Sequence, residues 1–391
     1  MQYICSECAR VFDLSVPRWR CECGGFLDLD SPPVDVAQID ASRSGVWRYP
    51  ALLPPLPVQH RISLGEQTTP LIRHEGLDVL LKLDHLLPSG SYKDRGATVL
   101  VSRLKDRGLS DIVLDSSGNA GAAMSTYSAA AGLTCRVFVP AGNSPMKLAQ
   151  IAAVGGHLQP VPGTRADTTR VAMAAASSSF YASHNWSPEF ATGLATVAFE
   201  LWEQLGRRAP SAILAPCGNG GIILGLSRGF DALQRGGLVA TVPRLVAVQS
   251  AAFDSIAYAM AHGLETPTQR ADGSTTVAEG IAAELPVRGR QVLDAIRTSG
   301  GTAIVVSEAR IVEATLLLAS AGVYVEPTAA VGLAGLLDLR AQTDQSLLGD
   351  TPVVILSGTG LKAGRRIADL RDPDWWPVDG SSAPPAAGSG R

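Results

Sequence analysis

The chain has 391 residues, with 33 Lys+Arg against 36 Asp+Glu, a formal net charge of −3, and 46% hydrophobic residues. That length allows two or three domains, and the near-neutral balance excludes the basic footprint of a nucleic-acid binder. The apolar fraction is too high for disorder over most of the chain, and no apolar run approaches the ~20 residues that span a bilayer. The start, MQYICSECAR, has neither the basic region nor the apolar core of a signal peptide. The expectation is a cytoplasmic, Gly-rich enzyme acting on a small molecule, with no nucleic-acid or membrane partner.

Cys5, Cys8, Cys21 and Cys23 form C-x2-C followed, after twelve residues, by C-x-C. Paired thiols at the tips of two tight turns can converge on one tetrahedral ion, and zinc takes four thiolates in structural sites. Residues 1–30 are therefore read as a Cys-rich, zinc-ribbon-like extension. Four reduced thiols without metal fit the same spacing. Cys135 lies in an apolar stretch and reads as a small buried hydrophobe.

Further along, short apolar runs alternate with helical stretches. Strands are expected at Asp111–Leu114, Cys135–Val139, Ala212–Ala215, Leu245–Val248, Ala303–Val306 and Val353–Leu356. Helices are expected at Ala120–Ala131, Ser144–Val154 and Gly193–Leu205. This alternation predicts an α/β protein with two doubly wound domains and mainly parallel sheets. Ligands of such sheets sit beyond the carboxyl ends of strands, so the strand-to-helix turns matter most. From about Asp372 the chain turns Pro/Ala/Gly/Ser-rich, and 372–391 is expected to be a disordered tail.

Four turns carry chemistry. In SGSYKDRGA, Ser91 can cap a helix with Asp94 three residues on, leaving Lys93 in the first turn. The positive end of the helix dipole disfavours an ammonium there, which suits a Schiff-base lysine, although an ordinary lysine at a helix start gives the same pattern. In Asp115-Ser-Ser-Gly-Asn119-Ala-Gly, small residues allow close backbone approach and Asn119 offers both donor and acceptor; a capped turn reads alike. In Pro216-Cys-Gly-Asn-Gly-Gly221, consecutive glycines before a helix present N–H groups to one anion. The spacing is not G-x-G-x-x-G, and no Lys-Ser/Thr pair follows, so a phosphate monoester fits better than a nucleotide. In Ser357-Gly-Thr-Gly-Leu-Lys362, Ser357 offers a neutral hydroxyl. A lysine, an amide, a phosphate nest and a hydroxyl for a ring nitrogen together match pyridoxal phosphate.

With Thr69-Pro-Leu71 and Glu326-Pro-Thr-Ala added, the stretch from about Thr68 to Lys362 resembles the tryptophan-synthase-β-like (fold type II) pyridoxal phosphate enzymes, and within them the threonine synthase family. The Cys-rich start is similar to the extension on many threonine synthase homologues. The resemblance implies that Lys93 is the Schiff-base lysine and proton shuttle. Asn119 meets the ring hydroxyl oxygen, Gly218, Asn219, Gly220 and Gly221 hold the phosphate, and Ser357 faces the pyridine nitrogen. Ser116, Ser117 and Gly118 bind the substrate α-carboxylate. It also implies a homodimer, a large domain of 31–95 with 205–371, and a small domain of 96–204. The implied reaction is conversion of O-phosphohomoserine and water to threonine and phosphate.

Two positions depart from the family pattern. Ala120 stands where a Thr helps hold the substrate phosphate, and Phe190 stands where an Arg clamps it. Losing one charge-assisted hydrogen bond costs ~1.5–3 kcal/mol, roughly tenfold or more in binding. His184, Asn185 and Ser187 lie close by for a smaller or differently charged group. Replacement on O-phosphoserine or O-acetylserine, and serine/threonine ammonia-lyase chemistry, therefore stand beside the first reading.

Overall fold

The computed structural model describes residues 1–372 apart from 144, 271–272 and 343–345. The expected tail, beyond Asp372, lies outside the described residues. The strands are β1 (Tyr3–Cys5), β2 (Val11–Phe12), β3 (Leu27–Leu29), β4 (Leu71–His74), β5 (Val79–Lys82), β6 (Asp111–Leu114) and β7 (Thr134–Pro140), then β8 (His157–Val161), β9 (Phe180–Tyr181), β10 (Ala212–Pro216), β11 (Arg244–Ser250), β12 (Thr302–Val306) and β13 (Pro352–Ile355). The helices are α1 (Asp94–Asp106), α2 (Asn119–Ala131), α3 (Pro145–Ala153), α4 (Arg165–Ala175), α5 (Pro188–Gln204) and α6 (Gly221–Arg235), then α7 (Ser255–Ala261), α8 (Gly289–Thr298), α9 (Glu308–Ser320), α10 (Pro327–Arg340) and α11 (Gly364–Arg371).

Two sheets carry the α/β body. One runs β12-β11-β10-β13-β5-β4, parallel except for its antiparallel β4 edge, and the other runs β8-β7-β6-β9 and is all parallel. The three short strands β2-β1-β3 form a separate antiparallel sheet around Tyr3, Cys5, Cys21 and Leu27. All six expected strands are present; β10, β11 and β13 are almost wholly buried, as central parallel strands require, whereas β12 is an edge strand with Val305 exposed. Helix α5 joins the two cores. Phe190 and Leu194 pack with α1, α2 and β7, whereas Ala195 to Trp202 pack with α6, β10 and β13.

Two local expectations need correction. Helix α5 starts at Pro188, not Gly193: Ser187 caps it by accepting from the Phe190 N–H at 3.2 Å, and Pro is suited to the first helical position. Gly193 is a crossing point instead, since a Cβ there would lie 2.1 Å from the Arg95 carbonyl oxygen. Ser91 does not cap α1. The cap position is Lys93, and the Asp94 carboxylate turns back to accept from the Ser89 N–H at 2.6 Å and from the Ser89 hydroxyl.

Candidate functional site

Lys93 sits between two anchors. Ahead of it, Tyr92 N–H donates to the Ser357 carbonyl (3.0 Å), Thr359 N–H donates to the Gly90 carbonyl (2.9 Å), and Ser91 bridges Gly358. Gly90 has φ +83°, and a Cβ there would stand 2.7 Å from Thr359, so the two turns can press together only at glycine. Behind it, Arg95 donates to Asp84 at 2.8 and 2.9 Å and to both oxygens of Glu200 at 2.7 Å. Glu200 also takes the Lys82 ammonium at 2.7 Å, and every member of this network is buried. Lys93 itself has no carboxylate partner among the described residues. Its nitrogen lies 4.6 Å from the Tyr92 ring centroid and 5.9 Å from that of Phe190. Burial, then the positive charge of Arg165, pushes the amine down to about 7. A lysine whose proton is loosened in this way can act as nucleophile or base near neutral pH.

Three turns at the carboxyl ends of β6, β10 and β13 supply the other expected residues. After β6, the Asp115 carboxylate accepts from Tyr181 at 2.7 Å and from Thr169, which pins the loop; Ser116 and Ser117 are buried and Gly118 is open to solvent. Gly121 lets this loop fold over, since a Cβ would lie 2.0 Å from the Ser116 carbonyl. Asn119 opens α2 with its side chain held at both ends: Nδ2 donates to Glu326 (2.7 Å) and Oδ1 accepts from Lys362 (3.0 Å). The second Nδ2 hydrogen has no acceptor among the described residues. Burial raises the Glu326 carboxyl and lowers the Lys362 amine from their ordinary values. After β10, Gly218 to Gly220 lead into Gly221, the first residue of α6. Gly220 has φ +75°, and Gly218 passes so close to Ile281 that a Cβ would lie 2.8 Å from its Cα. The Asn219 side chain accepts from Val287 N–H at 3.1 Å, which ties the turn to the start of α8. After β13, Ser357 is buried.

His184, Asn185, Leu194, Asn219, Gly221 and Arg288 line one narrow cleft, so the structure brings two of the expected substrate residues to the Gly218–Gly221 turn. His184 is half-buried, with its Nδ1 atom buried and unpartnered among the described residues. Burial, then the charges of Lys93 and Arg165, holds it neutral with a pKa well below the ordinary value. Ser187 differs: its hydroxyl caps α5 and donates to Glu189 at 3.0 Å. Ala120 is buried in the first turn of α2. Phe190 is fully buried, with its ring 5.9 Å from that of His184 and so close to Gly96 that a Cβ would lie 2.4 Å away.

Sequence reading left Glu326, Lys362, Arg165 and Arg288 without roles. Glu326 and Lys362 carried a signal, since both stand in quoted motifs. Arg165 and Arg288 carried none, because their importance comes from neighbours distant in the chain.

The four N-terminal cysteines do converge. Their sulfurs all lie within 4.8 Å of one another, with Cys5–Cys23 at 3.5 Å and Cys8–Cys21 at 3.7 Å. Four thiolates at ~2.3 Å from one ion stand ~3.8 Å apart, so the set has room for a tetrahedral metal. Glu7 and Gly25 N–H groups point at the Cys5 and Cys23 sulfurs at 3.4 Å.

The body of the site fits pyridoxal phosphate. The Gly218–Gly221 turn is nearly bare of Cβ atoms at a helix N-terminus, as an anion cradle requires. The Lys93 amine is near neutrality and no carboxylate among the described residues holds it. The profile of the family described as "Pyridoxal-phosphate dependent enzyme" matches residues 62–358. Threonine synthase of Methanocaldococcus jannaschii is 32% identical over 380 residues, covering 92% of both chains. That of Mycobacterium tuberculosis is 32% identical over 312 residues, covering 77% of this chain and 83% of its own. Among solved structures, a threonine deaminase from T.th. superposes with a TM-score of 0.65 at 28% identity, covering 78% of this chain and 98% of that one. An L-serine ammonia-lyase from Rhizomucor miehei, at 23% identity and a TM-score of 0.67, covers 78% of this chain and 97% of its own and shares the fold. The chain belongs to the threonine synthase family of fold type II pyridoxal-phosphate dependent enzymes, and it is a pyridoxal-phosphate-dependent lyase.

Proposed function

We propose that the protein converts O-phosphohomoserine and water to threonine and phosphate. The observation that carries the reading is the Lys93 amine, half-buried with no carboxylate partner among the described residues and pushed down to about 7. Bound pyridoxal phosphate supplies the electron sink at the substrate's Cα. The N–H groups of Gly218 to Gly221 hold the cofactor phosphate, the free Asn119 Nδ2 hydrogen meets the ring oxygen, and the Ser357 hydroxyl faces the ring nitrogen. Ser116, Ser117 and Gly118 orient the substrate through its α-carboxylate. Lys93 takes the Cα proton and then a Cβ proton as phosphate leaves Cγ with the C–O bonding pair. One proton is returned to Cγ, water adds its oxygen at Cβ and gives up one proton, and Cα is reprotonated to give threonine.

Phe190 cannot clamp the leaving phosphate. Arg165, at the start of α4, donates to the Asp115 carbonyl at 3.3 Å and directs positive potential at Lys93 and His184. We assign it the neutralising role that an arginine at position 190 would otherwise have. His184 and Asn185 complete the pocket; Ser187 belongs to it only through its cap of α5.

The apolar Phe190 favours one second reading, a serine/threonine ammonia-lyase, whose uncharged hydroxyl substrates need no phosphate clamp. A panel of O-phosphohomoserine, O-phosphoserine, O-acetylserine, serine and threonine separates these readings, with products identified by mass. Threonine and phosphate from the first substrate support the proposal. A 2-oxo acid and ammonia from serine or threonine establish the ammonia-lyase, and replacement on O-phosphoserine or O-acetylserine the third activity. We further propose a structural zinc ion on Cys5, Cys8, Cys21 and Cys23, tested by metal analysis of wild type against Cys5→Ser. A cytoplasmic homodimer goes with this reading, and sedimentation measures its mass.

A further inference from the structure

We propose that Arg288 is a positioning residue through which the Cys-rich extension sets the wall of the substrate cleft. Its guanidinium is 4% exposed and uses all five of its N–H donors. Nε donates to the Asn185 carbonyl (2.9 Å), and Nη2 donates to the carbonyls of Trp186 (2.8 Å) and Leu27 (2.9 Å). Nη1 donates to Asp28 (2.8 Å) and Gln291 (2.8 Å). Leu27 and Asp28 belong to β3 of the extension, whereas Asn185 and Trp186 follow directly on His184 in the cleft. One planar fork therefore holds both segments in register, which a point charge such as lysine cannot reproduce.

Independent contacts run the same way. Val287, the preceding residue, bonds the Asn219 side chain of the Gly218–Gly221 turn. Phe26 packs on Trp186 at 4.4 Å between centroids, and Trp19 packs on Trp186 at 5.5 Å and on Tyr181 at 4.9 Å. Tyr3 donates to Glu189 in the first turn of α5. The extension thus contacts the 184–189 segment at Trp186 and Glu189, and Arg288 links the extension to that segment and also lines the cleft.

The functional consequence rests on reading His184 and Asn185 as substrate contacts. The experiment compares holoenzymes of wild type, Arg288→Lys and Asp28→Asn, the last a mild change that keeps size and shape. Amide hydrogen exchange at 184–188 and 219–221 should quicken by about fivefold or more in both variants, with β10 and β11 unchanged. The KM for O-phosphohomoserine should rise by about tenfold with kcat within about twofold and the cofactor's visible absorbance unchanged. Wild-type exchange at 184–188 in both variants overturns the proposal, whatever the substrate. Faster exchange with an unchanged KM leaves the tie standing and overturns the reading of His184 and Asn185 as substrate contacts.

Discussion

Two cations at the start of α1, Lys93 and Arg95, are both taken from water and meet opposite fates. Arg95 loses hydration but gains Asp84 and Glu200, and these carboxylates hold its charge more firmly than water does. Lys93 loses hydration, gains no carboxylate, and feels Arg165 besides, so its proton is loosened. A buried charge is costly unless paired, so a fold keeps an unpaired one only where a loosened proton is useful. The paired residue fixes the helix, and the unpaired one is thereby held still enough to react.

Removing the reactive cation should give the largest effect. Lys93→Ala removes the group proposed as both covalent anchor and proton shuttle, so kcat/KM should fall by ~10³-fold or more and the visible absorbance should vanish. An unchanged spectrum would refute the assignment. Next comes the paired cation: Glu200→Gln leaves Arg95 and Lys82 sharing Asp84 in a buried space. We expect a loss of about 3–5 kcal/mol in denaturant unfolding, because a broken buried pair leaves an uncompensated charge. A loss below about 1 kcal/mol would mean that water reaches the network.

The contrast between these two residues also marks what was legible in the chain. The Lys93, Asn119, Gly218–Gly221 and Ser357 turns could be picked out as candidates because their signature is local: small residues beside a strand or a helix start. The partners that give them character were not, since Lys82 and Glu200 are 118 residues apart, Asn119 and Glu326 207, and Asn119 and Lys362 243. β4 and β5 were not expected; β4 is a half-exposed antiparallel edge that carries Arg73 and His74, so it lacks the apolar run that marked the other strands. Spacing made Ser91 the expected cap, but Asp94 accepts from Ser89 instead, and the segment is held by the Tyr92–Ser357 contact from far along the chain.

Titration separates Lys93 from its neighbour on the other side. In cofactor-free protein the native Lys93 holds its proton only below about 7, whereas the unfolded lysine holds it up to 10.5. Between these values the unfolded state binds more protons, so stability rises with pH by up to ~1.4 kcal/mol per unit. Burial raises the Asp94 carboxyl from 3.8 to about 7, against the hydrogen bonds from Ser89. There the native state binds more protons, so this contribution is present at low pH and is lost as pH rises from 3.8 through 7. Unfolding free energies of wild type minus Lys93→Met, and minus Asp94→Asn, should therefore slope in opposite directions on either side of neutrality. Parallel curves would mean that neither group is desolvated.

The smallest expected effect belongs to Arg165, and it refines the contrast most finely. Its side chain is exposed and bonds the Asp115 carbonyl, so its field reaches Lys93 partly through water. An exposed charge of this kind is worth ~0.2–1 kcal/mol, which is well under one pH unit. Arg165→Gln should thus move the Lys93 limb of the pH–rate profile upward by a few tenths of a unit, and added salt should reproduce the shift in wild type by screening. If burial alone set the Lys93 pKa, neither change would move the limb. Arg165 has a second effect that burial cannot mimic, because the same substitution should weaken O-phosphohomoserine more than serine. A shifted limb with equal losses on both substrates would leave Arg165 acting on the lysine alone, and the phosphate would need another partner.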